Sequence, residues 1–383
     1  MVTPEFKQLR GRVSSTGRFI VKIGRKEYID FSGAAMAVGH NFVRPDELIS
    51  PLTYLIYRNE YTERLIKRLT SISGFDNVAF STSGTEACDS ALQMNYGRPY
   101  ISFEGAYHGL DYITNLVSNG KGIDLSNKVV HLKFPNTELS EEEAIDANDR
   151  ILKKASRHLD LRGSAMITEL IQSDGGINVM TDSFARYVKE TINEFGMKLI
   201  VDEVYTALGR SGEMFLFKKY GFKPDYLCLG KALGAGFPLG AVLYSHEYPL
   251  YKNNLVSMQA ATMFTARVAL KVLSKITEER LRYVNEMSRQ IIDSLREIES
   301  ENILEVRGRG FMIGVELVDS RGRPDPKYAL AVRDKAAKGG VVCTLTGANN
   351  NVLKITPPVT APAQIVMKGV SIIAETLRST KYS

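Results

Sequence analysis

Short apolar segments alternate with helical segments through the middle of this 383-residue chain. Helical patterning extends over 85–94, 141–157 and 182–194. The intervening apolar or β-branched segments, which predict strands, are 77–81, 100–103, 129–134, 164–170, 198–204 and 226–229. Strands that alternate with helices favour a mainly parallel sheet with helices on both faces. The sequence therefore predicts an α/β fold.

The pattern changes after about residue 256. One long helical segment, 265–300, carries many charges on one side. Three strand-like segments follow, at 311–317, 340–343 and 351–355. We interpret this part as a second domain. Near the N-terminus, 19–23 and 27–31 flank a glycine-containing turn, which predicts a β-hairpin, and we expect that hairpin to pack on the C-terminal domain.

Composition excludes several classes of protein. The chain is 44% apolar and 24% charged, which is typical of a globular protein and not of a disordered or fibrous one. Its net charge of +6 is spread thinly, so neither a nucleic-acid nor a membrane partner is expected. No apolar signal segment begins the chain and no stretch approaches the ~20 apolar residues that span a bilayer. A cytoplasmic location is expected.

Metal chemistry is not expected either. Cys88, Cys228 and Cys343 are too few and too scattered for a disulfide framework or a cysteine-rich metal site. The five histidines show no helical metal-binding spacing. The densest acidic stretch follows Ser140, with Glu143 three residues on, which predicts a helix capping box and not a metal cluster.

A single lysine lies in the most distinctive segment. Lys231 follows the apolar segment 226–229 and is surrounded by glycines at positions 230, 234, 236 and 240. Glycine lets a backbone approach a bulky ligand closely. A lysine at a strand end in apolar surroundings is the type that loses its proton and forms a Schiff base with a carbonyl. A glycine-rich loop with a solvated lysine explains this segment alone equally well.

An aspartate ends the segment that begins at residue 198. If Asp202 is partly buried, it needs a cationic partner to offset its desolvation. A protonated pyridine nitrogen would serve, because the carboxylate keeps such a ring cationic and able to accept electrons. The alternatives are an aspartate that caps the next turn or one that pairs with an arginine such as Arg210.

Two further segments could bind a ligand. Ser83, Gly84 and Thr85 lead from a strand into a helix, where free N–H groups and hydroxyls suit a phosphate. The same residues are common at ordinary helix caps. After the segment 100–103, Tyr107 offers a ring that could stack on a planar cofactor, although plain packing is the alternative.

Together, in this order along an alternating chain, these four features resemble the fold-type I pyridoxal-phosphate enzymes. The resemblance is closest to the class III aminotransferases, including glutamate-1-semialdehyde aminomutase-like members. It extends from Gly24 to about Pro358, and its most specific segments are 83–87, 202–212, 224–225 and 230–240.

The resemblance implies a large domain, with a mainly parallel sheet covered by helices, and a smaller α+β domain. It divides the chain into an N-terminal segment, 1–44, that packs with the small domain, a large cofactor-binding domain, 45–262, and a C-terminal small domain, 263–383.

The resemblance also implies roles for individual residues toward pyridoxal 5'-phosphate. Lys231 would carry the cofactor as a Schiff base and then move the substrate proton, and Asp202 would hold the pyridine nitrogen. Thr262 would reach the phosphate of the neighbouring subunit, which implies a homodimer with shared active sites. The remaining cofactor-binding candidates are Ser83, Gly84 and Thr85 for the phosphate, Tyr107 and Val204 for the ring faces, Tyr205 for the ring oxygen, and Glu169.

The sequence departs from the family pattern at three positions. Tyr205 stands where glutamine is common, and Leu170 follows Glu169 where proline is usual. Lys354 occupies the place of an arginine that grips a substrate carboxylate with two parallel hydrogen bonds. Lysine offers only a point charge, which puts that mode of recognition in question. An ion pair between Glu169 and Lys354 is the alternative for these two residues.

The resemblance implies amino-group transfer from an amino acid or amine to a keto acid or aldehyde in a ping-pong cycle. An isomerase, either an aminomutase or an amino-acid racemase, would use the same residues, because only the site of reprotonation or the fate of the amine differs. A binding or regulatory protein of the same fold is a third hypothesis. Candidate pocket residues include 32–35, Tyr54, Tyr57 and Tyr61.

Overall fold

The protein is described by a computed structural model. It describes residues 13–15, 18–23, 26–32, 38–39, 42, 59–118, 120–245, 257 and 260–380. Of the candidate pocket residues, 33–35, Tyr54 and Tyr57 lie outside this set, as does much of the predicted N-terminal segment.

The strands are β1 (Val13–Ser15), β2 (Ile20–Ile23), β3 (Lys26–Asp30), β4 (Asn77–Ser81), β5 (Tyr100–Phe103), β6 (Gly122–Asp124), β7 (Val129–Leu132), β8 (Ala165–Glu169), β9 (Ile171–Gln172), β10 (Asn178–Val179), β11 (Lys198–Asp202), β12 (Tyr226–Leu229), β13 (Gly240–Tyr244), β14 (Ile303–Arg309), β15 (Met312–Leu317), β16 (Val341–Val342), β17 (Thr344–Thr346) and β18 (Val352–Ile355). The helices are α1 (Glu60–Ser73), α2 (Gly84–Gln93), α3 (Tyr112–Leu116), α4 (Glu141–Ala155), α5 (Asp182–Phe195), α6 (Leu216–Lys219), α7 (Met263–Leu273), α8 (Glu278–Arg296), α9 (Pro326–Gly339) and α10 (Ala363–Ser379), with a 3-10 turn at Lys231–Gly234.

An eight-stranded sheet forms the centre of the molecule, in the order β4-β13-β12-β11-β8-β5-β7-β6. The pairs β12–β11, β11–β8, β8–β5 and β5–β7 are parallel, whereas β13 runs antiparallel to both β4 and β12. All six strands predicted from the apolar segments lie in this sheet. The predicted α/β class with a mainly parallel sheet is therefore confirmed.

The central sheet buries apolar side chains on both faces. Along β11, Leu199 and Val201 belong to one buried cluster and Ile200 belongs to another. Successive side chains of a strand point to opposite faces, so a strand covered on both sides reads as a continuous apolar run. This explains why the apolar segments could be recognised as strands. In the described part of the chain, no helix is both long and apolar enough to cross a lipid bilayer.

Side-chain caps fix where several helices begin. Ser140 and Glu143 form the predicted capping box at the start of α4.

The prediction of one helix over 265–300 is wrong, because α7 ends at Leu273 and α8 begins after Thr277. The Thr277 side chain accepts a hydrogen bond from the Arg280 N–H at 3.2 Å, which starts a new helix at that point.

Three smaller sheets accompany the central sheet among the described residues. An antiparallel sheet has the order β14-β15-β18-β17, a mixed sheet has the order β1-β2-β3-β16, and β9 pairs with β10 in an antiparallel two-stranded sheet. The predicted N-terminal hairpin is confirmed by the antiparallel pairing of β2 with β3. β3 also pairs in parallel with β16, which lies more than 300 residues later in the chain. The boundaries at 44/45 and 262/263 stay a prediction.

Candidate active site

Several of the site residues predicted from the sequence lie at or just after the carboxyl ends of neighbouring strands in the central sheet. Asp202 ends β11 and Glu169 ends the neighbouring β8, and the two residues are directly paired in register. On the other side of β11, Asp202 is paired with Cys228 of β12, and Lys231 follows that strand by two residues. In open α/β sheets, ligands bind outside the carboxyl ends of the strands.

The Asp202 carboxylate is 5% exposed and is held on three sides. Its Oδ2 lies 2.8 Å from His108 Nδ1 and accepts a weak hydrogen bond from Cys88 Sγ at 3.4 Å. Its Oδ1 accepts a hydrogen bond from the Val204 N–H at 2.9 Å, so the turn-capping alternative is present in part. The Arg210 alternative is not formed, since that guanidinium donates to the carbonyls of residues 311 and 357.

His108 is a functional candidate that the sequence reasoning missed. Its ring is fully buried and touches Asp202, and its Nε2 has no hydrogen-bond partner in the described part of the chain. The backbone N–H of His108 donates to Ser118 Oγ at 2.8 Å, which fixes the loop after β5. The available signal was its place directly after Tyr107, but nothing in the linear sequence connects it with an aspartate 94 residues away.

Glycines let three loops approach one another closely at this edge. A Cβ added to Gly84 would lie 2.5 Å from Val204 Cγ1, and one added to Gly230 would lie 3.0 Å from Gly84 Cα. A Cβ on Gly109 would lie 2.5 Å from the Thr85 side chain. Contacts under 3.0 Å do not occur for real Cβ atoms, so glycine is required at 84 and 109.

The start of α2 presents free hydrogen-bond donors to the same space. Ser83 caps this helix, because its Oγ accepts a hydrogen bond from the Glu86 N–H at 3.1 Å. Among the described residues, the N–H groups of Gly84 and Thr85 have no hydrogen-bond partner. Free N–H groups at a helix start favour an anion such as a phosphate.

The close packing of Gly84 against Val204 predicts the effect of a substitution at this position. Gly84→Ala is expected to weaken the binding of pyridoxal 5'-phosphate about tenfold or more, because the new methyl group must displace Val204 or shift the start of α2. The affinity is measured by titrating the apoprotein with cofactor. Gly97→Ala is the control, since its Cβ would meet nothing within 4 Å, although the φ of +87° strains it. An unchanged affinity in the Gly84 variant would contradict the assignment.

Glu169 organises the loop that carries Tyr107. Its Oε2 accepts a hydrogen bond from the Tyr107 N–H at 3.0 Å, and its Oε1 accepts one from the Ser173 N–H at 3.2 Å. Burial and the nearby charge of Asp202 raise the pKa of Glu169 to about 8, although the two N–H donors oppose the shift. Among the described residues, Lys354 forms an ion pair with Asp174 at 3.7 Å and none with Glu169, so the alternative is not formed.

The raised pKa of Glu169 gives a pH dependence of stability. A carboxyl group whose pKa is higher in the folded state than its usual 4.5 stabilises the fold fully below pH 4.5, and this contribution is lost as the pH rises through about 8. In Glu169→Gln, the free energy of unfolding is therefore expected to fall less steeply between these pH values than in the wild type. Denaturant titrations at several pH values measure the slope, and identical slopes would count against the raised pKa.

Lys231 begins a 3-10 turn and has a backbone φ of +36°. This region is unfavourable for a residue other than glycine, and such strain is often found at functional sites. In the described part of the chain, Lys231 forms no ion pair. Its Nζ lies 4.9 Å from the centroid of the Tyr205 ring. The amine therefore lies close to the segment that follows β11.

Thr262 lies at the start of α7, which packs against α1 and against the turn of Lys231. Its Oγ1 accepts a hydrogen bond from the Thr265 N–H at 3.1 Å, so within one chain it is a helix cap. Its contact with the phosphate of a neighbouring subunit stays a prediction.

Comparison with known proteins decides the family. The profile described as aminotransferase class III matches residues 9–377. The chain belongs to the class III aminotransferases. Members of this family depend on pyridoxal 5'-phosphate. The resemblance drawn from the segments around Ser83, Asp202 and Lys231 is therefore confirmed, as are the fold class and the cofactor.

The relatives of this class III aminotransferase have several activities. It is 29% identical to an alanine/serine racemase of Pyrococcus horikoshii, over 95% of this chain and 85% of that protein. It is also 29% identical to a 2-aminoadipate transaminase of Pseudomonas putida, over 92% of each chain. Among solved structures, a phospholyase from Arthrobacter in complex with phosphoethanolamine has a TM-score of 0.87 at 21% identity, over 100% of this chain and 97% of that one.

Proposed function

We propose that this class III aminotransferase moves an amino group from an amino acid or amine to a keto acid or aldehyde in a ping-pong cycle, with Lys231 as the residue that holds the cofactor covalently. The observation that supports this proposal most is the convergence of Lys231, the buried Asp202 and the glycine-lined start of α2 at one edge of the sheet.

The residues present at this edge fit pyridoxal 5'-phosphate. When bound, the cofactor supplies an aldehyde that condenses with amines and a ring that accepts electrons. Asp202 would pair with the ring nitrogen, because its carboxylate is buried and forms no ion pair with a lysine or arginine in the described part of the chain. The free N–H groups of Gly84 and Thr85, with Ser83, would bind the phosphate. Val204 packs directly beside Gly84, where it would touch one face of the ring.

Lys231 would have a second role as the group that moves a proton. Once the amino group of a substrate takes its place, the free Nζ would accept a proton from the substrate Cα and deliver it to the cofactor carbon two bonds away. His108 would act as a positioning residue, since its Nδ1 lies 2.8 Å from Asp202 Oδ2 and fixes the carboxylate. Glu169 would position Tyr107, whose ring would cover the other face of the cofactor.

We also propose the oligomeric state, the domain division and the location of the enzyme. Thr262 of one subunit would complete the phosphate site of its partner, so the functional unit would be a homodimer. The N-terminal segment and residues 263–383 would form the small domain, and the enzyme would work in the cytoplasm on small-molecule amines and carbonyl compounds. Sedimentation analysis with and without cofactor tests the dimer.

The reaction type is tested by the stoichiometry of product. A purified holoenzyme is mixed with excess of one amino donor and no carbonyl acceptor, and the keto product is counted per active site. A transaminase is expected to stop at one equivalent per site and to resume when a keto acid is added. Continued turnover without an acceptor would overturn the proposal.

A racemase is the second candidate, and the similarity to an alanine/serine racemase over 95% of this chain favours it. A racemase would use Lys231 and Asp202 in the same positions but return the proton to the opposite face of Cα. It would convert a single L-amino acid to the D-form continuously. Chiral chromatography of the same acceptor-free mixture separates the two candidates, because a transaminase leaves the remaining substrate in one configuration.

A further inference from the structure

Tyr205 lies in an unusually cationic environment. Among the described residues, three cationic groups lie within 6 Å of its ring centroid: Lys231 Nζ at 4.9 Å, Lys354 Nζ at 5.5 Å and Arg210 Cζ at 5.8 Å. They come from three different parts of the chain, which are the turn after β12, strand β18 and the loop after β11. A charge near the face of an aromatic ring is favourable, and it also stabilises negative charge on a phenol.

The phenol hydroxyl has no committed partner. Tyr205 is 8% exposed, and its Oη is buried without a hydrogen bond in the described part of the chain. The Thr356 hydroxyl is close enough to lower the pKa of Tyr205, but it donates to the carbonyl of Phe31 at 2.9 Å and does not form a hydrogen bond of normal geometry with the phenol. A buried hydroxyl without a partner is costly unless a ligand supplies the partner. A hydrogen-bonding group on a ligand bound in the site would remove this cost.

Lys354 is the cation whose role the family pattern does not explain. Its position is fixed because β18 pairs with both β15 and β17 at this residue. It is only 9% exposed, yet its nearest carboxylate, Asp174, is 3.7 Å away and has a side chain that is 47% exposed. A partner so exposed neutralises the ammonium poorly. Among the groups that lower the pKa of Tyr205, Lys354 has the largest effect.

The charges around the phenol favour the loss of its proton. Burial raises the pKa of Tyr205, but Lys354, Arg210, the Thr356 hydroxyl and Lys231 together bring it below the usual 10. Two acidic groups act on these cations: Asp174 Oδ1 lies 3.7 Å from Lys354 Nζ, and the charge of Asp30 opposes the lowering of the pKa of Arg210 by burial. The positions of the three cations around the ring are therefore consistent with the lowered pKa of Tyr205.

We propose that Lys354 is a positioning residue that acts through Tyr205: its ammonium, supplied by strand β18, makes the buried phenol a strong hydrogen-bond donor and a reversible proton source for the bound cofactor and substrate. The proposal deepens the proposed function and rests on it. The phenol O–H bond would break as its proton moves to the ring oxygen of the bound cofactor, where a new O–H bond forms, and the reverse transfer would restore the phenol. No oxidant, reductant or further reactant is needed.

The phenol itself can be titrated without cofactor. Phenolate absorbance is measured against pH in the apoprotein, and the contribution of Tyr205 is isolated by subtracting the curve of Tyr205→Phe. Lys354→Met is expected to raise the midpoint of this difference by about 1 pH unit or more, because an opposite charge at this distance shifts a pKa by ~1–3 units. Lys354→Arg keeps the charge and is expected to keep the midpoint. An unchanged midpoint in Lys354→Met would overturn the proposal.

The holoenzyme provides a second, independent readout. The visible absorption band of the bound cofactor is titrated in Lys354→Met, in Tyr205→Phe and in the double variant. Lys354→Met is expected to shift this titration when Tyr205 is present and to have no effect in the Tyr205→Phe background. Equal shifts in both backgrounds would show that Lys354 acts directly and would overturn the proposal.

The alternative role for Lys354 is to grip a substrate carboxylate. In that case Lys354→Met would raise KM for amino acids but not for amines without a carboxylate, and the phenol midpoint would not move, which would overturn the proposal. If the protein binds no cofactor at all, the proposed function fails, but the apoprotein titration still decides the link between Lys354 and Tyr205. Circular dichroism of each variant checks that its fold is intact.

Discussion

Lys231→Ala is expected to reduce the rate of amino transfer by about 1000-fold or more, since this one amine would serve as both the covalent anchor and the acid–base group. The variant is also expected to bind pyridoxal 5'-phosphate without the visible band of the wild-type holoenzyme. Both results follow from its place two residues after β12, where its Nζ lies 4.9 Å from the centroid of the Tyr205 ring. Single-turnover kinetics and absorption spectra are the measurements.

The control for Lys231→Ala is Lys153→Ala, which removes an exposed lysine from the last turn of α4 and leaves the edge of the sheet untouched. It is expected to keep the wild-type spectrum and rate. Added ethylamine supplies the missing amine from solution, and it should restore part of the rate to Lys231→Ala and none to a misfolded protein. Wild-type turnover by Lys231→Ala would refute the assignment of this residue.

The central sheet and the position of the site could be predicted because both leave local signals. A strand that is buried on two faces appears in the sequence as an uninterrupted apolar run, as in β11. Asp202 ends this run, and a carboxylate in that position indicates the edge of the apolar core. The glycines at 84 and 230 are also readable, because their function is to keep side chains out of a crowded space. The type of each of these residues, and its position relative to the apolar segments, therefore indicates the candidate site.

Other parts of the site depend on contacts between distant segments, and no local signal reports them. His108 reaches Asp202 across 94 residues, and Lys354 reaches the Tyr205 ring from a strand near the C-terminus. The short antiparallel strand β13, at Gly240–Tyr244, was not predicted, since its glycine start reads as part of a loop. The break between α7 and α8 is not apparent from the sequence, because nothing local shows that Thr277 caps a new helix and does not continue the preceding one.

Asp202 is the point at which these local and distant features meet. One carboxylate oxygen holds the turn to Val204, which packs on Gly84 at the start of α2. The other oxygen contacts His108 and the buried thiol of Cys88. Asp202 therefore connects the segment after β11, the loop after β5 and helix α2, and we expect a change of its charge to affect all three.

Asp202→Asn is expected to lower kcat/KM by about 100-fold or more, because breaking a buried charge pair costs ~3–5 kcal/mol and each 1.4 kcal/mol is a factor of ten. The amide has nearly the same shape, so Asn can still accept the hydrogen bond from the Val204 N–H. It cannot carry the negative charge that would keep a bound pyridine ring protonated. The loss should therefore appear chiefly in kcat, with cofactor affinity reduced to a smaller extent.

The matched control is Asp146→Asn on the exposed face of α4, which removes the same charge from the surface and is expected to leave kcat unchanged. His108→Gln separates charge from position: it keeps the Asp202 carboxylate but removes the ring that fixes it, so its loss of kcat is expected to be smaller than that of Asp202→Asn. A wild-type kcat in Asp202→Asn, with an intact fold by circular dichroism, would show that the carboxylate does not act on the cofactor ring, and the buried His108–Asp202 contact would then be structural only.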